Sequence, residues 1–229
     1  MSALLAQISL RASNILAYLK SNHPTNENLF ELNADQTRVI SRLDFFLRTK
    51  HLGGCVIECG VGQGFGLHYL LTMQKYFGDK RTIYAFDSFR GFPAKSENDS
   101  KTLTDSALKS YRLYNLESVK SNLYNSGHSN HAINQVNFIE GFMPESFKYF
   151  NEKPVSLVIL DLDLYRSTKD ALLFFWPLLE PGGIILIDEY DRPADLLKWP
   201  GVKLAVDEFC LNYKVRLRRG MANEPLILK

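Results

Sequence analysis

Runs of apolar, β-branched residues alternate with helical periodicity along this chain, the rhythm of strands joined by helices in a parallel sheet. Residues 3–20 place Leu4, Ile8, Ile15 and Leu19 on one stripe, and residues 34–50 do the same with Val39, Leu43, Phe46 and Leu47, so two helices are expected. His23-Pro24-Thr25-Asn26 separates them. GGCVIECGVGQGFGLHYLL, Gly53 to Leu71, then reads as a buried strand, a glycine loop and a helix starting near Gly64. Arg81 to Phe86 is a short strand running into Asp87-Ser88. From Pro93 to Ala132 the chain is polar: a long loop to Tyr114, a short helix over Leu116 to Leu123, and a Ser/Asn loop. Val136 to Glu140 supplies a third strand, with Gly141-Phe142-Met143-Pro144 after it.

Val155 to Asp191 (VSLVILDLDLYRSTKDALLFFWPLLEPGGIILIDEYD) is a strand, a helix and a second strand. Continuous apolar runs, Val155 to Leu160 and Ile184 to Ile187, suit strands buried on both faces. Ser167 is placed to cap the helix, with Asp170 three residues on, and Pro181-Gly182-Gly183 to end it. A right-handed crossover lays the two strands parallel and adjacent. The chain closes with a helix over Val202 to Leu211 and two short strands, Tyr213 to Leu217 and Pro225 to Leu228, around a turn near Gly220. There are no internal repeats and no linker dividing the chain, so one α/β domain follows.

Composition adds exclusions more than assignments. With 229 residues and 45% apolar content the chain can bury a full core. A net charge of +2 with scattered Lys and Arg argues against nucleic acid as partner. The run Lys214, Arg216, Arg218 and Arg219 alternates with apolar residues and reads as the wet face of a strand. Nothing approaches the roughly 20 apolar residues that span a bilayer, and the first residues lack the basic start and long apolar core of a signal peptide. Cys55 and Cys59 share a strand at roughly 13 Å, too far to bridge, and Cys210 lies in a helical pattern. Reduced core thiols in a cytoplasmic protein are expected.

The chemistry gathers at strand ends. Asp161 and Asp163 follow one buried strand, and Asp188, Glu189 and Asp191 follow the next. Neighbouring strands lie about 4.8 Å apart, close enough for one cation to bridge Asp161 and Asp188. Ligands of open parallel sheets bind beyond these carboxyl ends. Unpaired carboxylates so close repel one another, and hard oxygen ligands suit magnesium, calcium or manganese. The glycine loop Glu58-Cys-Gly60-Val-Gly62-Gln-Gly64 fails the dinucleotide register G-x-G-x-x-G, since the third position is Phe65 or Leu67. A nicotinamide dehydrogenase is disfavoured on that ground. Asp87, 23 residues after Gly64, has the spacing of a carboxylate that meets ribose hydroxyls. His128 and His131 have metal-like spacing without a third ligand nearby.

An acid two residues before the first glycine, in E/D-x-G-x-G-x-G, resembles class I S-adenosylmethionine-dependent methyltransferases. Five segments narrow that likeness: VIECGVGQG, AFDSFRGFP, LDLDLYRSTKDAL, PGGIILIDEYD and GVKLAVDEF. Together they resemble the macrocin O-methyltransferase family, magnesium-dependent enzymes that methylate sugar hydroxyls of natural products. The resemblance implies a Rossmann-like fold with a seven-stranded, mostly parallel sheet, one antiparallel strand and helices on both faces. Residues 1–50 would form a helical extension and 51–229 the methyltransferase domain. It implies S-adenosyl-L-methionine held by Glu58, Gly60, Gly62, Gly64, Asp87, Ser88, Gly141, Phe142 and Asp161, with Phe142 near the adenine. It implies Mg2+ on Asp161, Asp188 and Glu189, and a small-molecule acceptor.

Two departures stand out. Glu189 replaces the second Asp of the family's Asp-Asp-Tyr, and the last histidine is His131, so the family's C-terminal catalytic histidine is missing. Asp191 or another acid is then left to take the proton. The leading helices either cover the mouth of the site or pack on a second copy, and a homo-oligomer is expected. Competing readings are a metal-independent methyltransferase on the same scaffold and a non-catalytic cofactor-binding partner protein.

Overall fold

A computed structural model describes residues 34–102, 104 and 114–229. The helix expected over residues 3–20 lies outside them. The described chain opens with α1 (Ala34–Thr49), followed by β1 (Cys55–Cys59), α2 (Phe65–Phe77) and β2 (Ile83–Asp87). Next come α3 (Leu116–Asn125), α4 (Asn130–Asn134), β3 (Asn137–Glu140), a 3-10 turn (Glu145–Tyr149) and β4 (Val155–Leu160). The remainder is α5 (Tyr165–Leu178), β5 (Leu179–Ile187), α6 (Pro193–Lys198), α7 (Pro200–Tyr213), β6 (Leu217–Arg219) and β7 (Pro225–Leu228).

The seven strands form one sheet in the order β3-β2-β1-β4-β5-β7-β6. All run parallel except β7, which is antiparallel to both β5 and β6. Every residue of β1 and β4 is buried, Glu58 and Ser156 included, as their largely apolar runs suit central strands. The order reverses between β1 and β4, so the crevice of the sheet opens where the glycine loop and the first acidic motif end.

Each face of the sheet carries its own core. On one, Phe86, Phe147, Phe150 and Phe175 pack edge-to-face beneath α5 and α7. On the other, Phe45 and Phe46 of α1 meet Leu67 and Leu70 of α2 and Leu157 and Ile159 of β4. Helix α1 is thus part of the helical layer, with both phenylalanines fully buried. No described helix is long and apolar enough to cross a membrane.

Local chemistry was misread in several places. Ser167 does not cap α5. The helix starts earlier, at Tyr165, behind Leu164, which offers no side-chain cap, and Ser167 is buried within its first turn. Pro181-Gly182-Gly183 does not end the helix but belongs to β5, where Gly182 N–H donates to Lys229 C=O and Lys229 N–H to Gly183 C=O. The Ser/Asn stretch holds α4, because Ser129 Oγ accepts from Ala132 N–H and caps it. Helix α7 runs on to Tyr213 and stops at Lys214, at φ 55°, so the strand expected from Tyr213 begins only at Leu217. The short α6 was not foreseen.

Candidate functional site

The carboxyl ends of five strands, β3, β2, β1, β4 and β5, are stapled in a row by four backbone hydrogen bonds beyond the sheet ladder. Gly141 N–H donates to Asp87 C=O, Gly60 N–H to Phe86 C=O, Asp161 N–H to Cys59 C=O and Asp188 N–H to Leu160 C=O, each at 2.9 Å. These staples set the cofactor-loop residues and the acidic residues side by side along one crevice. Gly60 needs its missing side chain here. It sits at φ 87°, and a Cβ would lie 1.8 Å from Asp161 C=O.

Asp87 holds the glycine loop in place. Its Oδ2 accepts from Val61 N–H at 2.8 Å and Gly62 N–H at 3.2 Å, and its Oδ1 accepts from Phe89 N–H at 2.7 Å. Ser88 Oγ donates to Gly91 C=O and accepts from Arg90 N–H, closing the next turn. A cavity opens above this row. Of the residues expected to hold the cofactor, Gly60, Gly62, Asp87, Ser88, Gly141, Phe142 and Asp161 line it.

Glu58 and Gly64 do not line the cavity. Glu58 is 1% exposed and lies under the loop against Gly66, where a Cβ would fall 1.6 Å from its Oε1. Burial above all pushes its carboxyl up to about 8; nearby Asp161 and Asp87 add to the rise and Arg42 opposes it. Gly64, at φ 94°, turns the chain into α2. Both shape the loop from outside the cavity.

Three of the acids come together: one carboxylate oxygen each from Asp161, Asp163 and Glu189 lie within 4.8 Å of one another. Asp163 stands in this group where the sequence expectation has Asp188. It occupies the centre of a tight turn, at φ 62°, closed by Leu164 N–H to Leu162 C=O at 2.7 Å. The acid-x-acid spacing was visible, but an extended strand end gives no sign of this turn. Asp161 and Asp163 line the cavity, and Glu189 lies deeper, 4% exposed, with its Oε2 lacking a hydrogen-bond partner among the described residues.

Asp188 is held differently. Arg38 of α1 grips it with Nη2 at 2.7 Å and Nε at 3.0 Å from Oδ2, and lies 3.6 Å from Glu189. Arg42, one turn on and 4% exposed, reaches Asp161 at 3.5 Å. Burial would raise the Asp188 pKa, but Arg42 and Arg38 outweigh it and hold the carboxyl below its usual range. Asp161 has less help: burial first, then the Asp188 charge, pushes it up to about 7. Burial, then the Asp161 charge, raises Asp163 and Glu189 well above the usual carboxylate range. Asp191 lies outside the cavity wall and pairs with Arg219. The Arg38/Arg42 pair was also missed in the sequence; its spacing of four was visible, but nothing local tells which acids a helix face will meet.

The polar loop contributes more than a cover. Phe92, Pro93 and Tyr114 line the cavity, and the Tyr114 hydroxyl accepts from Gln63 Nε2 at 2.7 Å. Asp99, 8% exposed, supplies the cap that Ser167 does not: its Oδ1 accepts from Tyr165 N–H at 2.8 Å, while Oδ2 accepts from Ser96 N–H at 2.7 Å. A residue 66 positions upstream therefore fixes the start of α5 directly behind Asp161 and Asp163. Asp99→Ala is expected to lower unfolding stability by about 1–2 kcal/mol in urea melts, and Asp99→Asn, which keeps an acceptor, by less than half of that. The His128–His68 contact, 2.9 Å between ring nitrogens, ties α2 to the turn before α4; no described acid or thiol joins it in a metal-holding group.

Residues 44–218 match the sequence profile of the macrocin-O-methyltransferase (TylF) family. A Streptomyces olivaceus 8-demethyl-8-(2,3-dimethoxy-alpha-L-rhamnosyl)-tetracenomycin-C 4'-O-methyltransferase is 29% identical over 60% of this chain and 53% of its own length. A Micromonospora griseorubida mycinamicin III 3''-O-methyltransferase is 29% identical over 62% of this chain and 57% of its own. The chain thus spans just over half the length of these relatives. Among solved structures, the O-methyltransferase NovP superposes with a TM-score of 0.67 at 22% identity, covering 85% of this chain and 80% of NovP. The calicheamicin methyltransferase CalS11 superposes with a TM-score of 0.65 at 21% identity, covering 100% of this chain and 93% of its own. At those identities the structures speak for the fold.

Proposed function

Because the chain belongs to the macrocin-O-methyltransferase (TylF) family, we propose that it transfers a methyl group from S-adenosyl-L-methionine to a hydroxyl of a sugar-bearing small molecule, assisted by a divalent cation. One observation carries this reading: a single cavity is lined both by the loop residues Gly60, Gly62, Asp87 and Gly141 and, next to them, by Asp161 and Asp163 of the acidic cluster. Cofactor and acceptor then share one space, and their alignment supplies a large part of the rate enhancement.

The first wall suits a nucleoside. Gly60 and Gly62 bring backbone close without side chains, and Asp87 oxygens are strong acceptors for ribose hydroxyl protons. Phe142, 37% exposed at the cavity edge, offers a flat apolar face to the adenine. On the second wall the donor set fits a hard cation. Its oxygens converge, their like charges need a counter-ion, and the orphaned Glu189 Oε2 gains a partner. Asp161, Asp163 and Glu189 would hold magnesium, with Asp188 joining if Arg38 releases it. A bound divalent ion supplies Lewis acidity that lowers the acceptor hydroxyl pKa. Asp163 lines the cavity and would take the hydroxyl proton on the oxygen it does not give to the ion, whereas Asp191 pairs with Arg219 outside the cavity wall. Phe92 and Pro93 exclude water over the reacting atoms. The buried thiols of Cys55 and Cys59 suit a cytoplasmic setting.

One observation favours a second reading. Arg38 and Arg42 already neutralise part of the acid charge, which a metal-independent methyltransferase would require. Both readings meet the same experiment: titration with S-adenosylhomocysteine, then an acceptor screen of sugar glycosides and nucleotide sugars with and without chelator. We expect micromolar cofactor-product affinity and transfer that stops with EDTA and returns with magnesium. Transfer that survives EDTA would replace the metal-assisted reading with the second. Absence of S-adenosylhomocysteine binding would end both.

A further inference from the structure

We propose that Arg38 is the resident cation of the acidic site and leaves it when a divalent ion enters, so that this side chain sets the metal affinity. The inference rests on the metal-assisted reading above and adds the exchange of one cation for another.

The geometry defines what is exchanged. Both Asp188 oxygens are already engaged by the guanidinium, Oδ2 by Nη2 at 2.7 Å and Nε at 3.0 Å, and Oδ1 by Nε at 3.3 Å. Arg38 also stands 3.6 Å from Glu189 Oε1. A cation held by Asp161, Asp163 and Glu189 would share the Glu189 carboxylate with this guanidinium, and Asp188 could join only if the fork opened. Two like charges on one partly buried group of carboxylates repel each other more than they would in bulk water. Glu189 Oε2 is buried and has no hydrogen-bond partner among the described residues, so the guanidinium leaves that oxygen unpaired.

The two arginines of α1 differ in their freedom to move. The Arg42 side chain is 4% exposed and locked in the core; that of Arg38 is 35% exposed at the rim. Release into solvent gives up the Asp188 pair but rehydrates the Arg38 guanidinium and returns rotamer entropy, whereas Arg42 has no such route. Arg38 therefore neutralises Asp188 until the ion arrives, and Arg42 stays as the permanent counter-charge to Asp161.

The test uses the full chain and Mn2+ as probe. Free Mn2+ is followed by electron paramagnetic resonance for the wild type and Arg38→Gln, which keeps the stem and loses the charge. Arg38→Gln is expected to bind Mn2+ about tenfold more tightly, the scale on which groups around a metal site act. Equal affinity, or weaker binding because Arg38 orients Asp188 for ligation, overturns the proposal. In the wild type, phenylglyoxal modification of Arg38, mapped by peptide mass spectrometry, should accelerate severalfold with Mn2+; an unchanged rate overturns the proposal even if the variant does not fold. Wild type and variant both blind to Mn2+ would sink the metal-assisted reading along with it. Normal wild-type binding without tightening in the variant sinks this inference alone.

Discussion

Asp161→Asn is expected to lower kcat/KM for methyl transfer by about 10³-fold, the equivalent of about 4 kcal/mol of lost transition-state stabilisation. The substitution preserves shape and the backbone staple from Asp161 N–H to Cys59 C=O, so the strand end stays in place. What disappears is a carboxylate on the shared wall of the cavity, flanked by Asp163 and Glu189. Stability should move the other way or not at all. A carboxyl pushed up to about 7 binds its proton more tightly in the folded chain than in the unfolded one, so ionised Asp161 costs stability as pH rises towards and through 7. The neutral amide removes that cost. Melting at pH 8 should therefore show no loss, with S-adenosylhomocysteine affinity within about tenfold of wild type. A variant that melts well below wild type would make Asp161 chiefly structural, and one that retains full turnover would remove it from the mechanism.

Gly60→Ala is expected to reduce unfolding stability by at least about 3 kcal/mol, read from the urea midpoint. Two costs combine. An Ala at φ 87° is strained by about 1–2 kcal/mol. Its Cβ would also stand 1.8 Å from Asp161 C=O, so β1 and β4 would have to part at their ends. Gly62 is the control. It too has positive φ, 53°, but nothing lies within 4 Å of its added Cβ, leaving only the backbone strain. Gly62→Ala should fold with a cost of about 1 kcal/mol and lose S-adenosylhomocysteine binding, because Gly62 lines the cavity. Equal stability losses in the two variants would refute the assigned contact.

The central strands and the glycine loop were legible because their determinants are local and redundant. Cys55–Cys59 and Val155–Leu160 are predominantly apolar, broken only by Glu58 and Ser156, the pattern of strands buried on both faces. Acids directly after two of them marked the crevice for the same reason. What escaped depends on partners far along the chain. Asp99 caps α5 across 66 residues, so no pattern near Ser167 could disclose it. The Pro-Gly-Gly segment reads as a breaker, yet its backbone finds Lys229 as hydrogen-bond partner and stays in the sheet. The division of the acids into a cluster with Asp163 and a pair with Arg38 turns on one residue at φ 62° and on the rotation of α1. Neither is a periodicity. The gathering of acids at two neighbouring strand ends was therefore readable in the sequence, and which of these carboxylates face one another was not.

Adjacent strand tips that share their amide staples cannot respond independently. The backbone of Gly60 lies so close to Asp161 C=O that an added Cβ would stand 1.8 Å from it, so a ligand seated on the glycine loop and one seated among the acids would each bear on the same pair of strand ends. Thermodynamic reciprocity then requires that whatever the first ligand does to the affinity of the second, the second returns in equal measure.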